Sequence, residues 1–147
     1  HASYRRQRQM CIRDRCIVVG IDSFFNGTDY VVYAKTGSET TRYMTGMKTI
    51  DWLREAQDRG AGEVVLNCMN QDGVRKGYDI EQLNSIRDQC KVPLIASGGA
   101  GCISSFIDVF SKCSVDGALA ASVFHNDTVK IEDLKQRLSE NKIPVRI

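Results

Sequence analysis

Pro93-Leu94-Ile95-Ala96-Ser97-Gly98-Gly99-Ala100-Gly101 packs the end of an apolar strand, a glycine turn and the approach to a helix into one short stretch. Behind it, Ile103, Phe106, Ile107 and Phe110 fall at i, i+3, i+4 and i+7, the spacing of an amphipathic helix. A strand that opens through glycines onto a helix start aims several backbone N–H groups at one point. Glycine lets a bulky anion come close, and the helix end adds partial positive charge. The turn is therefore suited to hold phosphate.

The same alternation of strand and helix extends on both sides. Cys16-Ile17-Val18-Val19-Gly20-Ile21-Asp22 is an apolar run ending in a carboxylate, and its continuity predicts a strand covered on both faces. Tyr30 to Lys35 and Thr41 to Met44 are β-prone segments around Thr36-Gly37-Ser38, which predicts a small hairpin beyond that strand. Lys48 to Arg59 reads as a helix with Met47, Ile50, Leu53 and Ala56 inward, stopped by Gly60. Glu63 to Asn67 is the next strand, followed by a polar loop, Asn70 to Gly77, and a helix through Ile80, Leu83 and Ile86 ending near Lys91. After the opening stretch come a strand, Gly117 to Ala121, the short turn Val123-Phe124-His125 and a closing helix with Ile131, Leu134 and Leu138. Four strand–helix units imply a parallel α/β sheet, either doubly wound or part of a (β/α)₈ barrel. The first strand lacks a G-x-G-x-x-G turn, which counts against a dinucleotide fold.

Composition narrows the function classes. The chain has 147 residues, 42% hydrophobic and 26% charged, with two prolines, the profile of one soluble globular domain. No apolar run approaches the ~20 residues that span a bilayer, which points to the cytoplasm rather than a membrane. Six scattered cysteines include no C-x-x-C, and the two histidines, His1 and His125, lack metal-ligand spacing, so the reading is reduced thiols and no metal. Residues 1–15 hold five arginines and one acid. Residues 16–147 hold fifteen basic against seventeen acidic side chains, so the net charge of +2 belongs to the leader. With one aromatic and no motif, that leader reads as a disordered end or junction rather than a nucleic-acid arm, and the domain is taken as 16–147.

Two carboxylates stand out. Asp22 ends an apolar strand, where a carboxyl partly withdrawn from water can trade protons near neutral pH; the plainer reading is a turn cap. Asp72-Gly73 is a turn signal whose place after a parallel strand allows it to face a substrate. Ala121-Ser122 forms a second small-residue turn after the next strand. In barrels, phosphate groups lie between such loops and a short extra helix, which Val123 to His125 can supply. His125 has no nucleophile or partner spaced for catalysis.

Val18-Val19-Gly20-Ile21-Asp22, Arg59-Gly60-Ala61-Gly62-Glu63, Asn70-Gln71-Asp72-Gly73 with Gly77-Tyr78-Asp79, Ala96-Ser97-Gly98-Gly99-Ala100-Gly101, and Ala118 through His125 together resemble the cyclase subunit of imidazole glycerol phosphate synthase, from histidine biosynthesis. The sister isomerase of the pathway usually has Ser-Ser-Gly-Gly-Ile-Gly and Gly-Arg-Ala at the last two places, so the cyclase is the better match. The resemblance implies a (β/α)₈ barrel without cofactor. In it, ammonia and a phosphoribulosyl-formimino-aminoimidazole carboxamide ribonucleotide give imidazole glycerol phosphate and the aminoimidazole carboxamide ribonucleotide. By position it makes Asp22 one of two catalytic aspartates. It makes Asp72, Gly73, Gly99, Ala121 and Ser122 a cradle for one phosphate, with Ser97 and Gly98 beside it. It sets Glu63 on the opposite face, where the family docks a glutaminase and receives ammonia.

Four strands rather than eight make the chain resemble the C-terminal half of such a barrel. The second catalytic aspartate and second phosphate site then belong to the other half, so the fragment is expected to turn over little alone. Its open edges and uncovered inner face predict self-association. A non-catalytic phosphate-binding half-barrel is the competing reading.

Overall fold

A computed structural model of the protein describes residues 16–146; the 1–15 leader lies outside them. Six strands form one sheet in the order β3-β2-β1-β4-β5-β6. β1 (Val18–Phe25), β4 (Glu63–Cys68), β5 (Leu94–Ser97) and β6 (Gly117–Leu119) run parallel, and they are the four strands the sequence pattern predicts. β2 (Tyr30–Ala34) and β3 (Tyr43–Lys48) add antiparallel on the free side of β1. The helices are α1 (Thr49–Asp58), α2 (Ile80–Arg87), α3 (Ile103–Lys112), the single turn α4 (Ser122–His125) and α5 (Ile131–Glu140). The chain is thus an α/β fold of four βα units, and its sheet is not closed among the described residues.

Several expectations need correction. The first strand does not end at Asp22 but runs three residues further, because Phe24 and Phe25 pair with Val31 and Tyr30 of β2. Their rings pack there, Phe24 on Tyr33 at 5.5 Å and Phe25 on Tyr30 at 5.1 Å between centroids. The turn joining them is made by Asn26, whose Oδ1 accepts from the Thr28 and Asp29 amides, and by Gly27 at φ +100°. The hairpin therefore extends the sheet instead of lying beyond it. Met47, read as inward on α1, belongs to exposed β3; α1 buries Leu53 and Ala56 as expected, and Thr49 besides. α2 stops at Arg87, short of Lys91, and β6 is only three residues long, since Ala120 and Ala121 already bend towards α4.

Among the described residues the strands are covered on one face, not two. Ile21, Val64, Leu66, Cys68, Leu94 and Ala96 point to the helices and join Leu53, Leu83, Ile86, Phe106, Val109, Val123 and Leu138 in one core. Each fully buried leucine contributes about 1.5–3 kcal/mol by leaving water. Alternation then turns Val18, Gly20, Asp22, Val65, Asn67, Ile95 and Leu119 to the other face. There Val18 and Leu119 stay 54% and 47% exposed.

Candidate functional site

Parallel register sets one end of the site. Asp22 stands opposite Asn67, and Asn67 opposite Ser97, so three adjacent strands present polar side chains at one level near their C-terminal ends. Asn67 Nδ2 donates to Asp22 Oδ1 at 2.8 Å, and Ser97 Oγ donates to Asn67 Oδ1 at 3.4 Å. Asp22 Oδ2 accepts from Thr36 Oγ1 at 2.5 Å, a hydroxyl carried by the loop after β2. Both carboxylate oxygens are thus held by neutral donors, and no ion pair among the described residues involves Asp22. Asp22 sits half-buried and oriented, free of a neutralising cation.

Next to this row lies an open cleft of about 320 Å³ that collects Asp72, Gly73, Ser97, Gly98, Gly99, Ala121 and Ser122, with Asn67 on its floor. The five residues that the resemblance makes a phosphate cradle and the two it sets beside them all line it. Asp22 touches it through Asn67. Glu63 does not: it begins β4 in register with Val18, four residues or roughly 13 Å along the strand from Asn67. The sequence reading missed Thr36 and Asn67, which become site residues only through cross-strand register. It also missed Arg75, whose placement after a predicted strand was a usable signal.

The glycines serve the fold in a way the sequence did not announce. Gly98 and Gly99 adopt φ +91° and +106°. A Cβ on Gly98 would lie 2.8 Å from the Cys68 carbonyl oxygen, and one on Gly99 would lie 2.1 Å from that of Gly77. A Cβ on Gly101 would lie 2.0 Å from the Arg75 carbonyl oxygen. The close approach at Gly99 and Gly101 is therefore made by the chain's own β4–α2 loop, not by an anion. The Gly77 amide donates to the Gly99 carbonyl at 2.8 Å, and the loop brings Asp72 and Gly73 over the cleft. At the far wall, Tyr78 Oη donates to the Leu119 carbonyl at 3.1 Å, tying α2's start to β6. Ala121 caps α4 and accepts from the Phe124 and His125 amides, so the first amides of that turn have no partner within the helix. The Ser122 amide, without a partner inside that turn, borders the cleft, whose lining is small and uncharged apart from Asp72 and Arg75.

The five described cysteines are free thiols, and no three His, Cys, Asp or Glu side chains cluster as metal ligands among the described residues. No described helix is long and apolar enough to cross a membrane.

A sheet of βα units, open at its edges and with its polar cleft at the strand C-termini, defines an α/β protein of partial (β/α)-barrel type. The chain belongs to the histidine biosynthesis protein family, whose model matches residues 5–130 and so begins inside the 1–15 segment. It is 56% identical over 135 residues to the imidazole glycerol phosphate synthase subunit HisF of Pseudoalteromonas translucida, covering 90% of this chain and 52% of that one. The same-named subunits of Vibrio parahaemolyticus and Aliivibrio salmonicida are 57% and 58% identical, again over 90% of this chain and 52% of theirs. The chain spans about half the length of the curated relatives it matches.

Proposed function

We propose that this chain supplies one acid/base carboxylate and one phosphate cradle of an imidazole glycerol phosphate-forming cyclase, and that the remainder of the site comes from a complementary half-barrel. The observation that carries the reading is the common level of Asp22, Asn67 and Ser97 on three neighbouring strands, beside Gly98, Gly99, Ala121 and Ser122. One extended ligand can lay a phosphate among the small residues and still reach the carboxylate. Attack of ammonia on a formimino carbon, release of the aminoimidazole and ring closure all move protons. Asp22 gives and takes them while Thr36 and Asn67 hold its oxygens in place. Ammonia comes from a glutaminase-type partner at the opposite sheet end, where Glu63 lines the entry. The enzyme works in the cytoplasm.

The test mixes the chain with the N-terminal half of a HisF relative and measures formation of imidazole glycerol phosphate. Turnover is expected in the mixture and not from the chain alone. Asp22→Asn should lower it by about 10²–10⁴-fold while phosphate binding persists. Unchanged turnover removes Asp22 from the mechanism, and no turnover from two folded halves overturns the assignment. Phosphate bound equally by parent and variant, with turnover in neither mixture, identifies a binding module instead.

A further inference from the structure

Among the residues that line the cleft, only Asp72 and Arg75 carry charge, and no ion pair joins them. The rest of the lining offers neutral donors. A phosphate monoester carries nearly two negative charges at neutral pH, and Asp72 adds a third to the same space. Neutral amides alone leave that charge uncompensated.

Arg75 has the form of a residue kept for its side chain. It is a non-glycine at φ +58°, a conformation that glycine adopts at less cost. Its carbonyl is pressed against Gly101, and two residues on the Gly77 amide bonds the Gly99 carbonyl. The main chain of the loop is therefore fixed on the glycine turn. Arg75 is exposed and lines the cleft, and its side chain has no hydrogen-bond or ion-pair partner among the described residues. Lys76, its equally exposed neighbour, does not line the cleft.

We infer that Arg75 is the counter-charge of the cleft, closing on a phosphate monoester from the loop side and giving the pocket its preference for a dianion. The inference rests on the phosphate reading of the preceding subsection. A planar guanidinium fits two phosphate oxygens at once, which a lysine ammonium does not.

The test is calorimetric titration of the chain with inorganic phosphate and with glycerol 3-phosphate, at about 50 and 200 mM salt. The variants are Arg75→Gly, which keeps the backbone conformation and deletes the side chain, and Arg75→Lys. Circular dichroism and urea midpoints verify that each is folded. Arg75→Gly is expected to weaken both ligands by about tenfold and to lose most of the parent's salt sensitivity; Arg75→Lys should fall between. Parent-like affinity and salt dependence in folded Arg75→Gly overturn the inference and leave the cradle standing. A parent that binds neither ligand overturns the cradle and the inference together.

Discussion

At the scale of single residues, the glycine turn is where a methyl group matters most. Gly99→Ala must displace the Gly77 carbonyl and hold a left-handed φ, which together cost about 2–4 kcal/mol. Urea unfolding should register that loss, and phosphate binding should go with it. Gly20→Ala is the control: nothing lies within 4 Å of its Cβ position, and the change should stay within about 0.5 kcal/mol. The thiols divide as sharply. Cys102 is exposed at the start of α3, and hydrogen bonds from the Ser104 and Ser105 side chains lower its pKa. Burial raises those of Cys68, Cys90 and Cys113, with the negative charge of Asp79 adding to the rise at Cys68 and Cys113. Iodoacetamide labelling followed by mass spectrometry should modify Cys102 well ahead of those three; equal rates would contradict this.

At the scale of elements, α2 is joined to β1 by a polar contact inside the core. Gln82 Nε2 donates to Ser23 Oγ, which also bonds Thr49 Oγ1 of α1 at 2.6 Å, and all three side chains are buried. Gln82 Oε1 finds no partner there. An unpartnered buried amide oxygen is costly, so Gln82→Met should be neutral or stabilising, because Ser23 keeps Thr49. Ser23→Ala strands both partners and should cost about 1–3 kcal/mol. Denaturant midpoints of the two variants check the contrast. The glycine turn and its helix were legible because their signals are adjacent in the chain. The row Thr36–Asp22–Asn67–Ser97 was not, because it exists only once separate strands settle in register. The hairpin's attachment to β1 had a local cue in Asn26-Gly27 between β-prone aromatics, which apolar run length alone overlooked.

At the scale of the whole molecule, the sheet has helices on one face only among the described residues. Its other face mixes Val18, Val65, Ile95 and Leu119 with the Asp22 row, and a second copy of the chain offers a matching face. Sedimentation should find dimers or larger species, and a monomer at micromolar concentration would contradict that. Continuous apolar strands had suggested two covered faces, since a strand destined for a closed barrel and one between helix layers carry the same run of residues. Alkaline stability follows from the buried acids. Unfolded thiols ionise near 9.0, whereas Cys68, Cys90 and Cys113 keep their protons beyond that in the fold. Tyr30, raised to about 12 by burial and then by the nearby charges of Asp79 and Glu81, and Tyr78, raised by burial, act alike. Their contribution is complete below about pH 9 and declines as pH climbs towards the folded values, so the urea midpoint should be lower near pH 10 than near pH 8.

The strap from Met69 to Gly77 is fastened at both ends by main-chain groups, the Met69 amide to the Ser23 carbonyl at 2.8 Å and the Gly77 amide to that of Gly99 at 2.8 Å. Such a fastening is indifferent to most of the side chains riding between the ends but strict about their number. Spelling there can drift, the glycines, Asn70, Asp72 and Arg75 aside, whereas one inserted or deleted residue would slide Asp72 and Arg75 off their stations by about 3 Å and unmake the cleft without changing a single residue that lines it.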